Sequence, residues 1–318
     1  MSDLLARAGE LLGAKHTTYV VARVGPDGVE TDARGTDVHG DVELGSVSKG
    51  VTGLLWHDAL ARGEVSADAT LGDHLEIPGP IGRVTLSSLA THSSGLPRLA
   101  GGSEMVKRSW ELWRKGLNPY REDVPALLAM LHDVKLRRPG KPSYSNLGFQ
   151  LIGHAVASAA STSYADLVRT RIAEPLGLVN TYVPTSVDQL RPTSVAARNR
   201  RGAEVEPWAN ESIAPAGGVR SSAADLAMLL PALLDGTVAG SEALEPVADM
   251  AGRVKIGAGW LTGPMLQRTV TWHNGGTGGF RSFVAIDREH GIGVALVSAS
   301  TRSVDRAAAR LLAETGDA

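Results

Sequence analysis

The sequence contains no cysteine, so disulfide bonds, thiolate catalysis and cysteine-bound metal sites are all excluded. It also contains no apolar run that approaches the ~18–20 residues needed to cross a membrane. The start of the chain lacks a positively charged stretch followed by an apolar core, and we therefore expect no signal peptide and a cytoplasmic location. A net charge of −2 provides neither a basic surface for nucleic acid nor a polybasic patch for a membrane.

The spacing of the histidines and the small number of lysines are also informative. None of the nine histidines stands two or four positions from another, so the spacing typical of metal sites is absent, and we expect neither a metal nor a cofactor. Only seven of the 32 basic residues are lysines. A lysine beside a residue with nucleophilic chemistry therefore stands out.

Strand and helix patterns are separated along the 318 residues. Apolar strand patterns occur early and again near the end, while the middle consists of helical patterns and long polar connections. This order predicts an α/β (α+β) fold, with an antiparallel sheet flanked by helices and built from both chain ends. We predict that residues 1–64 and 250–318 form the sheet domain, that residues 65–249 form an inserted, mainly helical domain, and that the active site lies in the cleft between them.

The first candidate site lies in DVELGSVSKG, where Ser46 and Lys49 stand three positions apart at the start of a helical pattern. Positions i and i+3 share one face of a helix, so the two side chains can meet. A serine hydroxyl becomes a nucleophile when a base takes its proton. A lysine can be that base if burial near other cations lowers its pKa, or it can remain charged and stabilise another base. A capping serine followed by a solvated lysine has the same sequence, so the pair alone is a weak signal.

A second group, Tyr144-Ser145-Asn146, follows a loop that two prolines and a glycine make rigid. A tyrosine near cations can act as a phenolate base or relay protons to and from a serine. Asn146 points to the same side as Tyr144 if the stretch is extended, and its amide can donate to a substrate carbonyl or brace the lysine. A structural tyrosine followed by a helix-capping asparagine is the alternative interpretation.

The third group begins where a strand pattern ends at His273-Asn274-Gly275 and continues as Gly276-Thr277-Gly278-Gly279. So many glycines indicate that the backbone approaches another group closely or adopts conformations closed to other residues. A strand that ends in this way can lend a backbone N–H to an oxyanion. A glycine-rich turn with an incidental histidine is the alternative, whereas a phosphate loop fits poorly because no lysine and no helical pattern follow the glycines.

Taken in this order, the three groups resemble the signature of the serine β-lactamase and penicillin-binding protein superfamily, whose elements are Ser-x-x-Lys, Ser-Asp-Asn and Lys-Thr-Gly. The second element reads Tyr-Ser-Asn here, which is similar to the class C β-lactamase, DD-peptidase and esterase branch. LATHSSGLP (89–97), EPLGLVNTYV (174–183) and PAGGVRSSAADLA (215–227) also resemble that branch. The resemblance thus covers roughly residues 15–300, and three spaced matches are far more specific than one.

This resemblance implies a role for each matching residue. Ser46 would be the nucleophile that becomes acylated, while Lys49 and Tyr144 would activate it and carry its proton to the leaving group. Asn146 would orient the substrate and the lysine. The backbone N–H groups of Ser46 and Gly276 would form the oxyanion hole, in which a single donor is worth about 2.7–4 kcal/mol.

The sequence departs from the family where β-lactamases carry a lysine and a threonine, since His273 and Asn274 stand there before Gly275. We expect these three residues to contact the substrate. A histidine is largely neutral near pH 7, so the change favours neutral esters or amides over anionic substrates. Trp208, in a loop that the resemblance puts near the rim of the site, is a further substrate-contact candidate. His92 is interpreted as a buried hydrogen-bonding residue and not as a base.

The resemblance and the expected location together predict an esterase, a hydrolase or a biosynthetic transacylase. Such an enzyme forms a covalent acyl-enzyme on a small-molecule ester or amide and passes the acyl group to water, an amine or an alcohol. D-amino-acid peptidase or β-lactamase activity is the alternative. A non-catalytic ligand-binding protein of the same fold is a weaker alternative, because it would be expected to have lost Ser46, Lys49 or Tyr144.

Overall fold

Most of the strands in the computed structural model, which describes residues 2–316, belong to one sheet. The strands are β1 (Tyr19–Gly25), β2 (Gly28–Arg34), β3 (Val42–Glu43), β4 (Arg220–Ser221), β5 (Ala248–Ala251), β6 (Val254–Ile256), β7 (Leu261–Met265), β8 (Arg268–Gly276), β9 (Arg281–Asp287) and β10 (Ile292–Ser298). Eight of them form an antiparallel sheet in the order β2-β1-β10-β9-β8-β7-β6-β5, and β3 pairs with β4. The predicted fold class, with a sheet built from both chain ends, is confirmed, whereas the predicted domain boundaries stay a prediction.

Helices cover both faces of this sheet and fill the middle of the chain. They are α1 (Asp3–Leu12), α2 (Ser48–Ala61), α3 (Leu71–His74), α4 (Gly79–Gly82), α5 (Leu86–Ala90), α6 (Gly102–Lys115), α7 (Val124–Ala129), α8 (Asn146–Ala159), α9 (Tyr164–Leu167), α10 (Glu174–Leu176), α11 (Ala223–Leu234) and α12 (Asp305–Thr315). None of those described is long and apolar enough to span a membrane.

The sheet separates two apolar cores because successive residues of a strand point to opposite faces. Along β10, Val294 and Leu296 pack into a core with α1 and α12, while Ala295 and Val297 pack into a larger core with α2, α8 and α11. Since both faces of β10 are covered, its sequence is a continuous apolar run instead of an alternating one. The candidate residues of the first two groups lie on the side of the larger core.

Helix α2 is the buried helix that positions the candidate nucleophile. A Cβ atom on Gly53 would lie 1.8 Å from the carbonyl oxygen of Ala258, so glycine allows the helix to pack directly against that backbone. The indole nitrogen of Trp260 also donates to the carbonyl oxygen of Gly50 over 3.1 Å. The α-helix itself begins at Ser48, after a 3₁₀ turn over Gly45–Val47. The start of α2 is thus fixed against the β6–β7 connection.

Candidate active site

Ser46 and Lys49 are in direct contact. Ser46 lies in the 3₁₀ turn and is partly exposed, whereas Lys49 lies in the first turn of α2 and is completely buried. The Nζ of Lys49 donates to Ser46 Oγ over 3.1 Å and to the carbonyl oxygen of Ala216 over 2.6 Å. Ala216 belongs to a π-helical turn, Ala214–Gly218, and such turns are frequent at functional sites. The side chains that the spacing predicted to meet do meet.

The environment of Lys49 favours its neutral amine. Burial holds the pKa of Lys49 well below its usual range, and the positive charge of Arg98 lowers it further. Within the described residues, Nζ bonds to Ser46 and Ala216 and to no carboxylate. A buried amine without a counter-ion loses its proton readily, and the neutral form can accept one. Lys49 therefore has the properties of a general base for the Ser46 hydroxyl.

Tyr144 completes this cluster. The Nζ of Lys49 lies 5.1 Å from the centroid of the Tyr144 ring. Burial raises the pKa of Tyr144 to about 12, although a hydrogen bond with Ser46 and the charge of Arg98 act in the opposite direction. The resting phenol is therefore protonated near neutral pH. Of the two roles that the sequence left open, this shift favours a proton relay over a phenolate base.

His92 holds Tyr144 in place from behind. Its backbone carbonyl accepts a hydrogen bond from Ser143 N over 2.8 Å, and its Nδ1 accepts one from Ser145 N over 3.2 Å. The ring centroids of His92 and Tyr144 lie 4.5 Å apart. His92 adopts a left-handed φ of 56°, so its side chain and its carbonyl reach the two neighbours of Tyr144. The interpretation of His92 as a buried hydrogen-bonding residue is confirmed.

Asn146 starts α8 and contacts a residue that the sequence analysis missed. Ser145 caps the helix by accepting from Gly148 N over 2.9 Å, and the Asn146 Nδ2 donates to the hydroxyl of Tyr120 over 3.3 Å. Among the described residues its amide makes no hydrogen bond to Lys49, so the expected bracing of the lysine is not observed. The Oδ1 of Asn146 is buried without a partner in the described residues. That oxygen is free to accept a hydrogen bond from a substrate.

Trp208 lies beside Tyr120. The two ring centroids are 4.9 Å apart in an edge-to-face arrangement, and the half-buried Trp208 ring also packs on Gly217. The Trp208 backbone N–H donates to Glu43 Oε1 over 2.9 Å. Its contact with a substrate stays a prediction. The short NPY loop that carries Tyr120 has no local pattern that would have predicted these contacts.

The register of β8 determines where the Gly276 N–H points. Gly276 pairs with Arg281 of β9, and the next pair is joined by a hydrogen bond of 3.1 Å from Thr277 N to Phe280 O. Hydrogen-bonded and non-hydrogen-bonded pairs alternate along an antiparallel ladder, so the Gly276 N–H is directed away from β9. On that side, β7 pairs with β8 as far as Trp272. The Gly276 N–H therefore faces an edge that β7 no longer covers.

The backbone of Gly276 lies against the turn that carries Ser46. A Cβ atom on Gly45 would lie 2.7 Å from Gly276 N, and one on Gly275 would lie 2.9 Å from Ser46 N. Gly45 also has a left-handed φ of 52°, which favours glycine. The N–H groups at the start of a helical turn have no acceptor within that turn. The two N–H groups proposed for the oxyanion hole are thus brought close together.

His273 and Asn274, which were both predicted to contact the substrate, lie on opposite faces of strand β8. His273 is buried on the side of Tyr144, with 6.5 Å between the two ring centroids, and its Nδ1 donates to the Asn274 carbonyl over 2.6 Å. Burial lowers the pKa of His273 to about 3, and the nearby Lys49 contributes. Asn274 alternates to the opposite face, where its exposed side chain donates to Asp305 over 3.2 Å. The structure brings His273, but not the Asn274 side chain, to the face of the Ser46 cluster.

Arg98 is a second residue that the sequence analysis missed. Its guanidinium carbon lies 5.6 Å from the centroid of the Tyr144 ring, and its side chain is exposed. It directly follows the THSSGLP stretch, whose resemblance to the family implies no role for the arginine. The family-like stretch thus pointed to this region, but no local sequence pattern predicted the direction of the Arg98 side chain.

Comparisons with known proteins concern the family and the fold of the chain. The family model described as Beta-lactamase matches residues 14–317. The D-alanyl-D-alanine-carboxypeptidase/endopeptidase AmpH of Escherichia coli (strain K12) is 31% identical over 191 residues, which make up 58% of this chain and 46% of AmpH. The chain thus spans less than half the length of this relative.

Solved structures share the fold at low sequence identity. A class C beta lactamase from Rhodobacter sphaeroides superposes with a TM-score of 0.81 and 23% identity, covering 99% of this chain and 98% of that one. The D-alanine Carboxypeptidase AmpC from Burkholderia cenocepacia gives a TM-score of 0.80 and 20% identity, covering 98% and 99%. At these identities the superpositions show a common fold.

Proposed function

The chain belongs to the beta-lactamase family, as the resemblance of its three motifs predicted, and on this premise we propose that it is a serine acyl-transfer enzyme. Ser46 would form a covalent acyl-enzyme with a small-molecule ester or amide. The acyl group would then pass to water, or to an amine or alcohol acceptor, so that the protein acts as an esterase or as a transacylase. The predicted cytoplasmic location stays a prediction, which fractionation of expressing cells tests.

One observation carries this proposal: the Nζ of the fully buried Lys49 donates to Ser46 Oγ over 3.1 Å and has no carboxylate partner in the described chain. A neutral lysine removes the hydroxyl proton while the Ser46 oxygen forms a bond to the substrate carbonyl carbon. The oxyanion that results accepts hydrogen bonds from the N–H groups of Ser46 and Gly276. Each part of this arrangement supports acylation.

The second half of acylation expels the leaving group. As the tetrahedral intermediate collapses, the bond from the carbonyl carbon to the leaving oxygen or nitrogen breaks, and that atom needs a proton. Tyr144, protonated at rest, donates its phenolic proton and takes up the proton held by Lys49. Both residues are then back in their starting forms. Deacylation runs the same steps in reverse, with the acceptor in the place of the leaving group.

A second candidate function is hydrolysis of peptides that end in a D-amino acid, with β-lactamase activity as its variant. The 31% identity to AmpH, a D-alanyl-D-alanine-carboxypeptidase/endopeptidase, favours this candidate. The neutral His273 cannot supply the positive charge with which the lysine that it replaces in β-lactamases helps to bind a carboxylate, so this candidate needs a cation from another residue. Release of D-alanine from a peptide ending in D-Ala-D-Ala, and hydrolysis of a chromogenic cephalosporin, measure these two activities.

The decisive experiment compares the wild type with Ser46→Ala. We expect the wild type to hydrolyse 4-nitrophenyl hexanoate and to gain the mass of a fluorophosphonate adduct, and Ser46→Ala to do neither. The matched control is Ser48→Ala, at the first residue of α2 and two positions after Ser46. It tests whether the loss of labelling is specific to Ser46. Equal rates for wild type and Ser46→Ala would refute the proposal.

The acceptor is identified in a separate assay. Primary amines and alcohols are added to the acyl-enzyme reaction, and new amide or ester is detected by mass spectrometry. Acyl transfer that competes with hydrolysis supports a transacylase. Hydrolysis as the only outcome across many acceptors supports an esterase.

A further inference from the structure

Arg98 is held at the mouth of the candidate site by the same backbone that holds Tyr144. Its carbonyl oxygen accepts hydrogen bonds from Asn146 N over 3.0 Å and from Leu147 N over 3.2 Å. The preceding carbonyl, that of Pro97, accepts from Ser145 Oγ over 2.6 Å. The segment that carries Arg98 is therefore tied to the N-terminus of α8 and keeps a fixed position relative to Tyr144.

The charge of Arg98 is not neutralised by the protein. Within the described chain it forms no ion pair, whereas arginines such as Arg171 and Arg220 bind carboxylates at close range. Its positive charge lowers the pKa of Lys49, of Tyr144 and of Tyr120, in each case as a smaller effect beside burial. No carboxylate is among the groups that shift the pKa of these three residues. The mouth of the site therefore carries uncompensated positive charge.

We infer that Arg98 recognises a carboxylate on the substrate that Ser46 attacks. The inference rests on the proposed function and deepens it, because it selects anionic esters or amides over neutral ones. His273 supplies no cation, since its pKa is about 3. The exposed guanidinium of Arg98, whose central carbon lies 5.6 Å from the centroid of the Tyr144 ring, supplies a cation from a different segment of the chain. Its planar geometry suits a bidentate hydrogen bond to a carboxylate.

The carboxylate can belong to the acyl chain or to the leaving group, and three chromogenic esters distinguish these sources. The neutral reference is 4-nitrophenyl hexanoate. The mono-4-nitrophenyl ester of adipic acid has the same chain length and ends in a carboxylate. The hexanoyl ester of 5-hydroxy-2-nitrobenzoic acid carries its carboxylate on the leaving group. The ratio of kcat/KM for each anionic ester to that for the neutral ester is compared between wild type and variants, so that differences in the intrinsic reactivity of the esters cancel and the change in the ratio measures charge recognition.

The variants are Arg98→Gln, Arg98→Lys and a control, Arg253→Gln. Arg253 is an exposed arginine in the turn between β5 and β6 and forms no ion pair with any residue of 2–316. Its exchange alters the net charge by the same amount. We expect the wild type to prefer one anionic ester by about 10-fold or more, the effect of one hydrogen bond between charged groups. Arg98→Gln should lose this preference, Arg98→Lys should keep part of it, and Arg253→Gln should keep all of it.

Salt provides a test that needs no variant. Raising the ionic strength from about 0.1 M to about 1 M shortens the Debye length from about 10 Å to about 3 Å. The preference of the wild type should therefore shrink, while kcat/KM for the neutral ester changes little.

Two results would overturn the inference while leaving the proposed function intact. The wild type could show no preference for either anionic ester, or Arg98→Gln could keep the full preference at a pH above the acid limb of the profile. In the second case, an equal slowing of all three esters would show that Arg98 acts through Lys49 or Tyr144 and not on the substrate. Ser46-independent hydrolysis of all three esters would instead refute the proposed function itself.

Discussion

The Nζ of Lys49 lies 2.6 Å from the carbonyl oxygen of Ala216, a shorter distance than the 3.1 Å that separates it from Ser46 Oγ. A carbonyl oxygen can only accept, so one N–H of the amine is committed to Ala216. In the neutral amine the lone pair is then free to receive the proton of the Ser46 hydroxyl. The π-helical turn that carries Ala216 therefore orients the amine that we propose as the base, as well as binding it.

Lys49→Arg tests whether proton acceptance by this side chain is required. A guanidinium still donates to Ala216 but keeps its proton at any accessible pH. We expect kcat/KM for 4-nitrophenyl hexanoate to fall by about 10²–10⁴-fold, the usual contribution of a general base. Lys255→Arg, at an exposed position of β6, is the control and should match the wild type. A Lys49→Arg enzyme within tenfold of the wild type would exclude Lys49 as the base.

The pH dependence of acylation should follow the protonation of Lys49. The proposed mechanism needs the neutral amine, so we expect kcat/KM to decline as the pH falls through the lowered pKa of Lys49. The charge of Arg98 contributes to that lowering, and its removal makes the amine easier to protonate. Arg98→Gln should therefore move the acid limb of the pH profile of the neutral ester to higher pH. Arg253→Gln should leave the limb in place, and an unshifted limb in Arg98→Gln would show that the two charges do not interact.

The sequence predicted those parts of the site that are encoded by short local patterns. Ser46 and Lys49 share a helix start, and the spacing i and i+3 is enough to predict their contact. The glycines after His273 predicted a close backbone approach, which the structure shows between Gly276 and Gly45. Strand patterns at both chain ends predicted a single antiparallel sheet. Strands with an apolar face bury that face by pairing into one sheet that packs against another layer.

Other parts depend on contacts between distant segments. Tyr120 reaches Asn146 across 26 positions, and Arg98 reaches the Tyr144 ring from a loop 46 positions earlier (144 minus 98). No periodic sequence pattern within either segment predicts such a contact. The orientation of Asn274 depends on the strand alternation that places its side chain beside Asp305 of α12. The roles of these residues could be assigned only after the segments were seen together.

Tyr144→Phe removes the phenolic proton that we propose is donated to the leaving group. With a pKa of about 12 the resting group is a phenol, so the lost function is proton donation and not base strength. We expect kcat/KM for 4-nitrophenyl hexanoate to fall by about 10²–10⁴-fold. Tyr19→Phe is the matched control, because the Tyr19 hydroxyl donates to Leu5 O over 3.2 Å in the core on the other face of the sheet. The control should lose about 1 kcal/mol of unfolding free energy and no activity.

Gly45→Ala should damage the oxyanion hole. The added methyl group would lie 2.7 Å from Gly276 N and would displace the backbone that is proposed to bind the oxyanion. We expect kcat to fall by about 10²–10³-fold, the effect of losing one oxyanion donor, with a smaller change in KM. Gly63→Ala controls for backbone strain, since Gly63 has a similar left-handed φ of 69° and its Cβ would meet no atom within 4 Å. Equal activity of the two variants would argue against Gly276 as a donor.

Buried neutral histidines should make the fold sensitive to acid. Burial lowers the pKa of His154 to about 4 and that of His273 to about 3, whereas a histidine in the unfolded chain titrates near about 6.5. Between these values the unfolded chain binds more protons than the folded one, so the free energy of unfolding decreases as the pH falls. The stability is complete above about pH 6.5 and is lost progressively as the pH falls, toward about 4 for His154 and about 3 for His273.

His154→Gln tests this linkage away from the Ser46 cluster. Glutamine keeps an N–H donor for the Ser212 carbonyl oxygen, which lies 3.3 Å from His154 Nε2, but it does not titrate. We expect the slope of unfolding free energy against pH between about pH 6 and about pH 4.5 to fall by about 1.4 kcal/mol per pH unit relative to the wild type. Urea unfolding at several pH values measures this slope. His132→Gln, at an exposed position, should keep the wild-type slope, and the same slope in His154→Gln would show that His154 does not contribute to acid sensitivity.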